Sequence, residues 1–111
     1  MSLRRGDLVT VAAKGPYTAK PRPALVVQAS ETLPYRDSVT VCLLTADLID
    51  APLFRVRIEP AAANGLQQPS DVMADKVLTV PRSVVSPKPF GRLNAFDLER
   101  VEVALRFWPG L

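Results

Sequence analysis

Histidine is absent from the 111 residues, and cysteine occurs once, as Cys42. Without histidine there is no His-ligated zinc centre, no Ser-His-Asp triad and no two-histidine ribonuclease machinery. A single cysteine rules out an intrachain disulfide and a cysteine-rich metal site. No apolar run approaches the roughly 18 residues that a membrane span needs. The opening Met1-Ser2-Leu3-Arg4-Arg5-Gly6-Asp7 lacks the apolar stretch of a signal peptide, so a cytoplasmic protein with no membrane attachment is expected. Any catalysis must run on Arg, Lys, Asp, Glu, Ser, Thr, Tyr or Cys.

Hydrophobic residues make up 48% of the chain, enough for a core, and the length suits one domain over 1–111. The positive balance is uneven. Residues 1–36 hold six bases (Arg4, Arg5, Lys14, Lys20, Arg22, Arg36) against two acids, whereas residues 37–111 hold eight bases against nine acids. An N-terminal excess suits a polyanionic partner, because phosphate contacts release counterions. A solvated basic surface is the other reading.

The chain has 11 prolines, about twice the usual share, and they punctuate the apolar runs rather than forming a linker. The runs are short and β-branched. Asp7–Ala12, Pro23–Gln28 and Ser38–Leu44 read as strands, the second opened by proline. Phe54-Arg55-Val56-Arg57-Ile58 alternates apolar and basic, as a half-exposed strand does. Asp71–Ala74 and Lys76–Val80 read as two strands flanking Asp75, and Ser83–Val85 as a short seventh. Asn64-Gly65 marks a tight turn.

One helix is expected, at the C-terminus. Asn94 is placed as its N-cap, and Pro109-Gly110 stops it. Leu98, Val101, Leu105 and Trp108 share a face. Phe96, Val103 and Phe107 form a second stripe, which serves either another subunit or a wider buried face. The fold class is therefore mainly β: a small, mostly antiparallel barrel with one packed helix.

Arg5-Gly6-Asp7-Leu8-Val9 followed by Lys20-Pro21-Arg22-Pro23-Ala24-Leu25-Val26-Val27 resembles the opening of the MazF/PemK toxin family. Val41-Cys42-Leu43-Leu44-Thr45 resembles that family's third strand, which ends in Ser or Thr. Gly65-Leu66 and the run Pro69–Val80 resemble its "G-L…S-x-V…D-Q-V-x-T-V" segment, and a Gly91-Arg92-Leu93 turn leads into the closing helix. The resemblance covers nearly the whole chain. It implies an SH3-like barrel, a homodimer, and metal-independent cleavage of single-stranded RNA with no cofactor. It also implies a cognate antitoxin as partner and growth arrest through inhibited translation.

Such cleavage lets the 2′-OH attack the adjacent phosphorus, leaving a 2′,3′-cyclic phosphate and a 5′-OH. It needs a proton acceptor, a proton donor and partners for the charged phosphorane. Arg22, aimed by Pro21 and Pro23, has a fork that matches two phosphate oxygens. Its structural alternative is a surface arginine in a proline turn. Thr45 can donate to a phosphate oxygen or bond its own backbone. Asp75 stands where family members that use an acid carry their base, yet those members have an arginine where this chain has Met73 and also a loop histidine. Asp75 is thus a base, an RNA contact or a turn-fixing residue. Where it is not the base, Arg22 does the proton work as well, helped by bound phosphate and Thr45, although a guanidinium with a pKa above about 12 is a poor base. Lys14, Lys20 and Lys76 add attraction for phosphate, Tyr17 can stack on an unpaired base, and Ser70 caps a turn or orients the site. An alternative is a toxin of the same fold acting on a protein such as DNA gyrase, similar to CcdB. The ending Phe107-Trp108-Pro109-Gly110-Leu111 and the stretch Thr45–Pro52 resemble that branch.

Overall fold

The computed structural model describes residues 3–12 and 21–111. Six strands form one antiparallel sheet: β1 (Asp7–Val11), β2 (Arg22–Val26), β3 (Ser38–Thr45), β4 (Arg55–Ile58), β5 (Ser70–Pro81) and β6 (Gly91–Arg92). Their order is β4-β5-β3-β2-β1-β6, and the sheet curls into a half-barrel. The helix α1 (Ala95–Phe107) follows β6. Among the described residues, no helix is long and apolar enough to cross a membrane.

β1, β2 and β3 carry apolar residues toward both sheet faces because both faces are covered there. Leu8, Leu25, Cys42, Leu44, Val56, Ile58 and Val72 face α1 and meet its Val101 and Ala104. Their neighbours Val9, Ala24, Val26, Val39 and Val41 point the other way, onto Leu3, Leu33 and Val85. A 3-10 segment, Ser30–Tyr35, supplies Leu33 to this second core. Fully burying one such aliphatic side chain contributes about 1.5–3 kcal/mol, so neither face can be spared.

The Arg-Gly-Asp opening is structural. Asp7 is buried and accepts from Arg92 Nη1 at 2.7 Å and from the Arg4 backbone N–H at 2.8 Å. Arg5 bridges Glu102 of α1 at 2.9 Å and donates to the Val27 carbonyl, tying the helix to the sheet. Gly91 lies against the Asn64 backbone; a Cβ there would stand 2.1 Å from the Asn64 carbonyl oxygen. The Asn64 side chain closes its turn, accepting from Ala61 N–H and Leu66 N–H and donating to the Glu59 carbonyl.

Three expectations need correction. Residues 71–74 and 76–80 are not two strands; β5 runs continuously through Asp75. The irregularity falls in its pairing with β3, where the register shifts between Cys42 and Leu44. A bulge bends a strand without ending it. Ser83–Val85 is not a seventh strand: Arg82–Val84 is a 3-10 turn, and Val85 makes only an isolated bridge to Val11. Gly91-Arg92, read as a turn, is the edge strand β6, held by pairing with Asp7 and Leu8.

The helix follows its sequence signals. Asn94 Oδ1 accepts from Asp97 N–H at 2.7 Å, satisfying one of the unpaired donors of the first turn. Trp108 does not join the buried face expected of it. It is 52% exposed and leans on Phe54, ring centroids 5.2 Å apart. Phe96, Val103 and Phe107 are exposed, so among the described residues the second stripe is not part of a wider buried face.

Candidate active site

Strand register assembles the site. β5 pairs Asp71 with Arg57 of β4 on one side and with Thr45 of β3 on the other. β2 pairs with β3 through Ala24–Leu43, Leu25–Cys42 and Val26–Val41. Carried two residues further, that register sets Arg22 level with Thr45. Opposed residues in antiparallel strands point to the same face, with Cβ atoms about 5 Å apart. One polar row therefore crosses four strands in the order Arg57, Asp71, Thr45, Arg22.

The members of the row differ in how they are bonded. Asp71 is 1% exposed, and its carboxylate accepts from Arg57 Nε at 2.6 Å and from the Ile49 backbone N–H at 3.1 Å. The hydrogen bond to Asp71 pushes the Arg57 pKa above its ordinary value, with burial opposing. Thr45 Oγ1 accepts from the Asp47 N–H at 3.0 Å, which leaves the hydroxyl hydrogen available to another acceptor. Arg22 is exposed at the start of β2 and has no carboxylate partner among the described residues. It stands at a cavity of about 330 Å³ whose walls are Val11, Leu43, Leu78, Val80 and Val84. Apolar walls lower the local dielectric and strengthen the pull of a guanidinium on an anion.

Asp75 lies farther along β5. Arg55 holds it with two bonds, Nε to Oδ1 at 3.0 Å and Nη2 to Oδ2 at 3.4 Å, and both side chains are largely buried. Register places Arg55 opposite Met73, so this is a diagonal pair. Ser70 is buried and donates to the Gln68 carbonyl at 3.1 Å, closing a turn. Lys76 is exposed on β5. Lys14, Tyr17 and Lys20 lie outside the described residues. Sequence reasoning thus named Arg22, Thr45 and Asp75 but missed Arg55, Arg57 and Asp71. The alternation in Phe54–Ile58 was the available signal, since it set both arginines on one face. No group of three His, Cys, Asp or Glu is gathered for a metal among the described residues.

A second cavity, about 450 Å³, opens between the 46–53 loop, β4 and α1, with Arg57, Asp71, Arg100 and Val103 in its walls. Arg100 Nη1 donates to the Arg57 carbonyl at 3.1 Å and to Asp97 at 2.9 Å, joining α1 to β4.

A small half-barrel whose strand register sets an arginine, without a carboxylate partner among the described residues, level with a threonine belongs to the class of small β proteins able to receive an anion at one end of the sheet. Comparison with known proteins narrows the class. The chain belongs to the PemK-like, MazF-like toxin family of type II toxin-antitoxin systems, whose model matches residues 4–108. It is 47% identical over 109 residues to a probable endoribonuclease MazF of Mycolicibacterium smegmatis, covering 98% of both chains. It also resembles the solved Mycobacterium tuberculosis toxin MazF-mt6, at 25% identity and a TM-score of 0.80, covering 95% of this chain and 97% of that one. A chain of the MazE-MazF crystal structure (Form-III) from Deinococcus radiodurans shares the fold, with a TM-score of 0.83 at 23% identity. There the match covers 100% of this chain and 99% of the other.

Proposed function

We propose that this chain is the toxin of a type II pair and acts as an endoribonuclease on single-stranded mRNA, inhibiting translation and growth. The observation that carries the reading is the Arg22 guanidinium, without a carboxylate partner among the described residues and level with the Thr45 hydroxyl. Family membership and the 47% identical relative support it.

The scissile phosphate sits between Arg22 and Thr45. The Arg22 fork takes two phosphate oxygens and gains strength as charge builds on the phosphorane. Thr45 donates to one of the same oxygens. Asp75 receives the proton of the attacking 2′-OH. A carboxylate has about four lone-pair sites, and Arg55 engages two of them, so acceptor capacity remains. The 5′-oxygen leaves as the cyclic phosphate closes and takes a proton from water. No metal enters these steps. Lys14, Tyr17, Lys20 and Lys76 extend the RNA contact along the strand, and Ser70 supports the turn that starts β5.

The same reading makes the protein a cytoplasmic homodimer whose antitoxin carries an acidic, disordered segment that folds over the RNA groove. The exposed Phe96, Val103 and Phe107 are surface that a second chain can cover. The deciding experiment incubates the purified protein with a long RNA in EDTA and maps the ends. Cleavage with 5′-OH ends, lost in Arg22→Ala, is expected. Intact RNA together with trapped gyrase–DNA complexes would move the protein to the CcdB-like reading. Against that reading, Trp108 rests on Phe54 rather than standing free at the chain end.

A further inference from the structure

Asp71 is a buried carboxylate that the chemistry above does not use. Its surroundings suggest what it does. Arg57 Nε and the Ile49 backbone N–H both donate to it, at 2.6 and 3.1 Å. Arg57 Nη2 also donates to the Ile49 carbonyl, at 3.3 Å. Residue 49 is thereby gripped at both of its backbone polar groups, by two side chains that hold each other. Ile49 sits in the middle of the 46–53 loop, which leaves the sheet at Thr45. The apolar side chains of that loop do little to anchor it: Leu48, Ile49 and Leu53 are 39%, 43% and 61% exposed. A loop with few buried contacts opens at low free energy, so its placement depends on polar bonds.

The grip reaches the reacting end of the row through two links. Asp71 is the direct cross-strand neighbour of Thr45. The loop also returns to Thr45 through the Asp47 N–H bond to Oγ1, which occupies one acceptor site and so restricts how the hydroxyl can turn. If residue 49 is released, Asp47 drifts and the hydroxyl loses its orientation.

We infer that Arg57 and Asp71 form a latch that holds the 46–53 loop against the sheet, making them positioning residues that set both the Thr45 hydroxyl and the RNA sequence context that is cut. The inference rests on the endoribonuclease reading. A planar fork is required, because one guanidinium must serve the Asp71 carboxylate and the Ile49 carbonyl together. A lysine at 57 keeps the charge but has no fork.

The test pairs amide hydrogen exchange of the full chain with cleavage of a long transcript pool, for Arg57→Gln and Arg57→Lys. In both variants the amides around Ile49 should exchange about tenfold faster, while those of β2 and β3 keep their protection. Cleavage should show kcat lowered about tenfold with KM little changed, since a misplaced group costs chemistry more than binding. The distribution of cut contexts should broaden. Arg57→Lys should behave like Arg57→Gln, and it supplies the reading if the Gln variant fails to fold. Unchanged exchange in either variant overturns the latch. Faster exchange with unaltered kcat and contexts overturns the positioning role. If the unmodified protein leaves all RNA intact, the reading beneath the inference falls, and the exchange data still report whether residue 49 is latched.

Discussion

Arg22 and Arg57 stand at opposite ends of one polar row, and the structure treats them in opposite ways. Arg57 is engaged by Asp71 and by the Ile49 carbonyl. Arg22 has no such partner among the described residues and faces an apolar-walled cavity. The difference shows why formal charge is a poor guide to what an anion meets. Arg5, counted in the basic N-terminal excess, is occupied by Glu102 and the Val27 carbonyl. The useful positive charge is where the described residues offer a guanidinium no carboxylate. The largest effect should follow from removing that charge. Arg22→Ala should lower RNA cleavage about 10²–10³-fold, as loss of one transition-state donor does, while the melting temperature stays near that of the unmodified protein. Arg22→Lys should restore only part, because a point charge does not replace the fork. A melting temperature that fell in step with activity would erase the contrast between the two arginines.

The next effect concerns a paired arginine and should reverse the pattern. Arg55→Gln strands the Asp75 carboxylate, whose side chain is 15% exposed, and should cost about 3 kcal/mol in a urea titration. Asp75→Asn separates structure from chemistry. If Asp75 takes the 2′-OH proton, cleavage should fall at least tenfold beyond what the change in stability explains. A variant that cuts normally would leave Asp75 as scaffold only. A smaller loss is expected for Thr45→Val, which keeps volume and removes one donor; cleavage should drop about tenfold, the worth of a charge-assisted hydrogen bond. RNA affinity measured against salt sharpens the comparison once more. Arg22→Ala should lessen the slope of log K against log salt by about 0.7, one phosphate contact on a single strand. Arg57→Gln should leave the slope unchanged.

Much of this arrangement is legible in the sequence, for identifiable reasons. The strands β1 to β4 are runs whose apolar character is fixed by burial on one or both faces, and Asn94 caps α1 through a local bond. Arg22 and Thr45 could be named because each ends or opens a recognisable run. What could not be read depends on long-range register. Arg57 meets Asp71, and Arg55 meets Asp75, only after β4 and β5 have paired. The alternation over Phe54–Ile58 says which side the arginines take, not that carboxylates wait there. The continuity of β5 through Asp75 depends on the irregular pairing near Leu43, a residue far off in sequence. Likewise β6 is two residues long and exists because Asp7 and Leu8 accept it as a neighbour.

The two faces of β3 extend the comparison to its smallest expected effect. Thr45 belongs to the polar row, whereas Cys42, three residues earlier, belongs to the core beneath α1. Burial pushes the Cys42 thiol from its ordinary 9.0 up to about 12, with the charge of Asp75 adding to the shift and Arg5 opposing it. The folded chain therefore keeps the proton where the unfolded chain releases it. This contribution is fully present below pH 9 and is lost as pH rises toward 12. Through that window it should amount to about 1.4 kcal/mol per pH unit. Urea unfolding at pH 7.5 and pH 10 should thus show a smaller loss of stability for Cys42→Ala than for the unmodified chain, by about 1.4 kcal/mol. Contributions common to the two proteins cancel in this difference. At neutral pH the native thiol should resist alkylation until urea opens the core, because the thiolate is the reactive form. Equal losses in the two proteins would mean that Cys42 meets solvent in the folded state, and the face under α1 would then not be the dry counterpart of the face that carries Arg22.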